Sequence, residues 1–171
     1  MKKYFKYALL LLLLCQPVSG FIQEKPALVA SIERGLQAAA PSWKLSISDV
    51  LSNSFGYKQM MLLEGDEGSV LVYLDISRYV EENKKGFTEA SEIYDASMRN
   101  HSVKSELPGL GDEALIWTGF QDGQEWAVIR IRKSRVYFEV LSMSAETAKR
   151  FARKAVQLCT DDKLCVSAVK D

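Results

Sequence analysis

The chain has few of the residues on which common enzyme sites depend. Among its 171 residues there are three cysteines and one histidine, His101. The sequence contains no GxSxG, HExxH, P-loop or CxxC motif, the signatures of hydrolases, metalloproteases, nucleotide-binding proteins and thiol-redox proteins. A nucleophile also needs a base and an orienting group, which one histidine does not bring. We therefore expect a non-enzymatic protein with no cofactor, no metal ion and no catalytic residue.

The sequence also lacks an apolar run long enough to span a bilayer. Its longest run, Leu9–Leu14, follows a basic start and is broken by Pro17, a pattern typical of a secretory signal. Small or compact residues at 18–20 suit a signal peptidase. We predict a signal peptide at residues 1–20 and a periplasmic or secreted protein that does not span the membrane after cleavage.

Two alternatives exist for this N-terminal segment. An uncleaved signal would act as a membrane anchor. Lipidation of Cys15 would need a small residue before the cysteine, and Leu14 stands there. A cleaved signal, with the mature chain beginning near Phe21, therefore remains the expectation.

Length and charge restrict the mature chain further. Residues 21–171 are enough for a single domain with a sizeable core. They carry 19 basic and 22 acidic residues, and this slight negative charge argues against nucleic acid as a partner.

Two cysteines remain in the mature part, Cys159 and Cys165. An exported compartment is oxidising, so a pair of cysteines with five residues between them is predicted to form a disulfide. The rival interpretation, a redox or metal site, finds no CxxC spacing and no nearby histidine.

Apolar periodicity predicts an α+β fold in which helices pack on an antiparallel sheet. The closing segments 113–120, 125–132 and 136–143 should form a meander of three strands. Turn and cap residues place the elements in the following order: a helix between Pro26 and Pro41, a strand from Trp43, a hairpin of Tyr57–Leu63 and Ser69–Ile76, a helix over Thr88–Arg99, a short strand at Val103–Ser105, the meander, and a helix capped by Ser144.

Three short stretches carry a resemblance to a known class. They are Leu107–Ala114 (LPGLGDEA), Ile129–Lys133 (IRIRK) and Ala148–Arg153 (AKRFAR). The sequence over about residues 40–158 resembles small exported bacterial domains of the PsbP-like class, including sensor-like and lipoprotein-borne domains. The resemblance implies an α/β/α sandwich and an accessory or binding role, and it brings no catalytic set.

The Leu107–Ala114 stretch and the aromatic residues each have two interpretations. Two glycines and Asp112 account for a tight turn in which the Asp112 carboxylate accepts hydrogen bonds from the turn's own amides. The alternative is a small secreted hydrolase with a carboxylate site at Asp112 and Glu113, joined by His101. We expect the aromatic side chains of the meander to pack in the core, with a ligand groove as the alternative: Trp117, Trp126, Tyr137 and Phe138.

Charge is distributed unevenly along the chain. Residues 130–154 carry a net charge of +6, whereas residues 49–125 carry −9. If the basic segment is functional, four arginines should form one exposed surface for an anionic partner: Arg130, Arg132, Arg150 and Arg153. The alternative is a solvated helix face beside a strand with its arginines outward. We predict an exported binding or accessory module whose partner is an envelope protein or an anionic envelope component, with a homo-oligomer as a further possibility.

Overall fold

One antiparallel sheet with two helices makes up most of the structure. The computed structural model describes residues 25–53, 56–77, 84–85, 87–88, 105–121 and 124–159. The helices and strands have these bounds: α1 Ala27–Ala39, β1 Lys44–Asn53, β2 Gly56–Gly65, β3 Gly68–Ser77, β4 Ser105–Glu106, β5 Glu113–Gln121, β6 Gln124–Lys133, β7 Val136–Ser142 and α2 Ala145–Leu158.

The seven strands are ordered β1-β2-β3-β7-β6-β5-β4, and each adjacent pair is antiparallel. Hairpins join β2 to β3, β5 to β6 and β6 to β7. The long-range pairing is β3 with β7, in which Val70 lies opposite Ser142 and Ile76 opposite Val136. This pairing joins the first three strands to the last four and leaves β1 and β4 at the edges.

Both helices pack on the same face of the sheet, here called the helix face. The apolar stripe of α1 includes Leu28, Ile32 and Leu36, and that of α2 centres on Phe151. Ser144 begins α2, and its Oγ accepts a hydrogen bond from the Thr147 N–H at 3.2 Å, as an N-cap does. Alternate strand residues complete one apolar cluster with these helices, among them Met61, Leu63, Val72, Leu74, Ile129, Ile131, Phe138 and Val140.

The predicted fold class, an α+β PsbP-like α/β/α sandwich, is wrong. A sandwich needs a helical layer on each face of the sheet, whereas α1 and α2 share one face. On the opposite face, the second face, the described residues contain only the short helical stretches 84–85 and 87–88. Seven strands against two helices make this a sheet-rich fold.

The individual helices and strands agree with the sequence prediction better than the predicted fold class does. The hairpin, the meander and the Ser144 cap are confirmed. The helix predicted to begin at Thr88 begins earlier, because Lys84 is already helical and its carbonyl accepts a hydrogen bond from the Thr88 Oγ1 at 3.2 Å. The rest of that helix and His101 lie outside the described residues.

Candidate functional site

The second face carries a buried arginine at its centre. Arg130 is only 1% exposed. Its Nε lies 2.6 Å from Oε2 of Glu139, the residue directly opposite on β7. The Tyr137 hydroxyl donates to the same carboxylate oxygen at 2.8 Å, and the guanidinium lies 5.0 Å from the centre of the Trp117 ring. A charge-assisted hydrogen bond and an aromatic face thus compensate the buried cation.

Arg132, two residues along β6, holds the loop that precedes β5. It is 9% exposed, and its Nη2 donates to Glu113 at 2.9 Å. Its Nη1 donates to Asp112 at 3.3 Å. The same Asp112 carboxylate accepts the Ser134 N–H at 2.6 Å, and the Asp112 N–H donates to the Arg132 carbonyl at 2.8 Å. The two carboxylates therefore fasten the loop to the β6–β7 turn.

Two glycines give this loop its shape. Gly109 and Gly111 have φ values of +79° and +76°, a region that favours glycine. A Cβ on Gly111 would lie 2.6 Å from the Arg132 carbonyl oxygen and 2.7 Å from the Ile131 Cγ2. The predicted turn chemistry is confirmed, except that Asp112 binds the amide of the β6–β7 turn and not the amides of its own turn.

A second ion pair lies further along the same face. Lys58 on β2 is opposite Asp75 on β3, and their charged atoms are 2.8 Å apart. Burial raises the pKa of Asp75. The charge of Lys58 and its hydrogen bond to Asp75 lower this pKa, but they do not cancel the effect of burial. Burial also raises the pKa of Tyr137, whose ring meets Tyr73 and Phe87 edge-on. The second face thus carries ion pairs at two places along the sheet, a buried arginine in one and a half-buried pair in the other.

The structure does not bring the four predicted arginines together. Arg130 and Arg132 share the second face as the strand period predicts, but both are buried. Arg150 and Arg153 lie on α2, which covers the helix face, and both are exposed. The sheet separates the two pairs, because Arg130 and Arg132 occupy the alternate positions of β6 that point away from the helices.

The carboxylates of the hydrolase alternative have structural contacts. Asp112 and Glu113 both bind Arg132, and Asp112 also accepts a backbone N–H. Their proposed partner His101 lies outside the described residues. In this arrangement the two carboxylates hold a loop against a turn.

The other residues singled out from the sequence have the following placements. Trp117, Tyr137 and Phe138 are buried, and Trp126 is half-buried. Cys159 is buried at the end of α2. Cys165, Cys15 and the predicted signal peptide lie outside the described residues, so the disulfide and the signal stay predictions.

A groove runs beside the edge strand β1 on the helix face. Among the described residues β1 has one neighbouring strand, β2. Ile47 is 44% exposed, although its register partner Met61 is fully buried. With Leu45 it lines a groove of about 510 Å³ whose other wall is formed by α1 and Pro41. We call this the β1 groove; its lining residues are Glu33, Arg34, Gln37, Ala38, Pro41, Leu45 and Ile47.

Most of the polar groups along the groove wall are already engaged. Glu33 accepts from Lys25 Nζ at 2.7 Å and from the Gln59 side-chain amide. The Gln37 amide donates to the Ala40 carbonyl at 3.1 Å and to the Trp43 carbonyl at 2.7 Å. Arg34 is exposed and makes no ion pair within the described residues. The groove therefore combines an apolar floor with one uncompensated positive charge.

A second concavity, of about 410 Å³, lies at the end of the sheet where α1 turns into β1. Trp43 lines it, and the Arg150 guanidinium lies 5.9 Å from that ring and 5.1 Å from the Phe151 ring. The acidic β2–β3 turn forms its rim. Arg150 is thus positioned by aromatic rings and lies apart from Arg130.

Two further observations concern the described ranges as a whole. No three histidine, cysteine, aspartate or glutamate side chains in them are grouped so that they could hold a metal ion. No helix in them has the length and apolar content needed to cross a bilayer.

Comparison with known proteins gave one distant structural similarity. No protein-family model matches the chain, and no curated protein matches it. Among solved structures, the chain is similar to a GTP binding regulator from Thermotoga maritima at 12% sequence identity and a TM-score of 0.45. The match covers 78% of this chain and 90% of the other. A similarity this distant supports no inference about activity.

Sequence reasoning missed the β1 groove. The alternation of Trp43, Leu45 and Ile47 predicts that all three face the core, and they do lie on the helix face. Ile47 is nevertheless exposed, because β1 is an edge strand and α1 leaves this part of it open. The order of strands in the sheet, which decides this, has no local signal in the sequence.

Proposed function

We propose that the protein is an exported, non-enzymatic binding module of the periplasm or cell envelope that binds a partner protein at β1. The partner contributes an extended segment that pairs with the open edge of the sheet. Such β-strand addition uses main-chain hydrogen bonds for affinity and side-chain pockets for specificity.

The observation that carries this proposal is the coincidence of an open edge with an apolar groove. β1 is ten residues long, whereas the other edge strand, β4, has two. The exposed Ile47 and the half-buried Leu45 lie next to the edge on the helix face. An incoming strand would place every second side chain beside these two residues on the helix face.

The contacts of the charged residues singled out from the sequence also support a binding role over a hydrolase. Asp112 and Glu113 are bound by Arg132, so the carboxylates available for a hydrolase already hold the loop. Arg130 and Arg132 are buried in ion pairs, which favours a protein partner over an anionic envelope component bound at those arginines.

Site-specific photo-crosslinking in the native host tests the proposal. A photoreactive phenylalanine analogue replaces Ile47 in one variant and Met143 in the control, because Met143 is equally exposed, at 46%, and lies away from the groove. We expect position 47 to give an adduct with a partner, mapped by mass spectrometry to an extended segment. Ile47→Lys should abolish binding of that partner, and Met143→Lys should not. Equal crosslinking from both positions would contradict the proposal.

The exported location has its own test. Mass spectrometry of the protein recovered from its host should find a chain that begins near Phe21, and not a chain that begins at an acylated Cys15. An intact Met1 terminus in the mature pool would contradict export by a cleaved signal.

A further inference from the structure

The chemistry of the β1 groove specifies what kind of segment it binds. Its floor is aliphatic: Leu45 and Ile47 lie on alternate positions of β1 and are accompanied by Ala38 and Pro41. A strand added to β1 presents its own alternate side chains to the same face. An aliphatic side chain on the partner would therefore lie beside Ile47 and remove it from water.

The wall of the groove adds a positive charge. The charge of Glu33 is balanced by Lys25, and Glu33 also accepts a hydrogen bond from the Gln59 amide. The Gln37 amide donates to two carbonyls that follow α1. Arg34 therefore sets the electrostatic character of this wall. A guanidinium binds a carboxylate with paired, charge-assisted hydrogen bonds.

We infer that the β1 groove selects an extended segment with an aliphatic residue and, two positions away, an aspartate or glutamate. This inference rests on the proposed function. The two-residue spacing puts both side chains on the same face of the added strand. The aliphatic group covers Ile47 and the carboxylate pairs with Arg34. Charge complementarity with Arg34 makes an acidic segment the occupant.

Selection from a random heptapeptide library displayed on phage tests the inference, with the full mature chain as bait. Enriched sequences should pair valine, isoleucine or leucine with aspartate or glutamate two positions away. Arg34→Gln should weaken binding of an enriched peptide by up to about fivefold, the upper end of the range for an exposed ion pair. Arg34→Glu should shift the selection to lysine and arginine. Arg153→Gln, a matched exposed arginine on α2, should leave binding unchanged.

The outcomes separate this inference from the function on which it rests. Peptides that need Ile47 but show no acidic preference would overturn the inference and leave the proposed function standing. Absence of any peptide whose binding is lost in Ile47→Lys would overturn both. A dimer that is seen by sedimentation and abolished by Ile47→Lys would also overturn the inference, because the groove would then be occupied by a second copy of this chain. Thermal unfolding of Ile47→Lys beside Met143→Lys establishes that the variant is folded.

Discussion

The helix face and the second face of the sheet differ in what they bury. Beneath α1 and α2 the buried strand residues are almost all aliphatic or aromatic, with Gln59 and Ser142 as the buried polar residues in the described ranges. The second face buries two arginines, Arg130 and Arg132, whose carboxylate partners are partly exposed. Strand β6 lies between these two environments, so six consecutive residues, 127–132, are buried. Burial on this sheet therefore does not imply apolar chemistry, because the buried arginines lie on the face that α1 and α2 leave uncovered.

The largest expected effect comes from breaking the buried pair of the second face. Arg130→Met leaves Glu139 without its cation, and we expect a loss of about 3–5 kcal/mol in the free energy of unfolding. The double variant Arg130→Met with Glu139→Leu should recover most of this, because paired replacement by apolar residues is often nearly neutral. Urea unfolding measures both. A loss below about 1 kcal/mol in the single variant would show that the pair behaves like an exposed one.

The second prediction concerns the loop that Arg132 fastens. Gly111→Ala combines a positive φ with a Cβ contact at 2.6 Å to the Arg132 carbonyl, so we expect a loss of about 2–3 kcal/mol. Gly109→Ala is the matched control, because its φ is almost the same and a Cβ there would meet nothing within 4 Å. The control should cost about 1–2 kcal/mol. Equal losses in the two variants would show that the close contact contributes nothing.

The third prediction uses pH to compare the two carboxylates Asp75 and Glu146. The pKa of Asp75 is raised by burial, so its stabilising contribution is present below the unfolded-state pKa and is lost as pH rises through the folded-state value. Asp75→Asn should therefore gain stability relative to the native chain between acid and neutral pH. Glu146 has a pKa lowered by Lys149, so Glu146→Gln should lose stability over the same rise in pH. Urea unfolding at several pH values measures both, and the same sign for both would contradict the assignment.

The smallest effects are expected on the exposed arginines of α2. Arg153→Gln should change the free energy of unfolding by no more than about 0.5 kcal/mol. Arg150→Gln should cost about 0.5–1 kcal/mol, because its guanidinium lies over the Trp43 and Phe151 rings. If Arg153→Gln lowered the free energy of unfolding as much as Arg130→Met does, the predicted difference between buried and exposed arginines would be contradicted.

Part of the buried pair could have been predicted from the sequence. The segment left between the last two predicted strands, residues 133–135, contains the two-residue turn Ser134–Arg135, and the register of this turn places Arg130 opposite Glu139. Reading the hairpin as cross-strand pairs would have given the arginine an acidic partner. The net charge of the segment, taken without register, pointed instead to an exposed surface.

Local sequence patterns predict most of the strands and turns of this protein and the start of its last helix. Strand periods predicted which side chains share a face, Ser144 predicted where α2 begins, and the glycines at 109 and 111 predicted a turn with positive φ. These features depend on contacts within a few residues. Only tertiary contacts place Arg150 and Arg130 on opposite sides of the sheet and Ile47 at an open edge. Both follow from the pairing of β3 with β7 and the docking of the helices on one face, contacts between distant residues that no local pattern records.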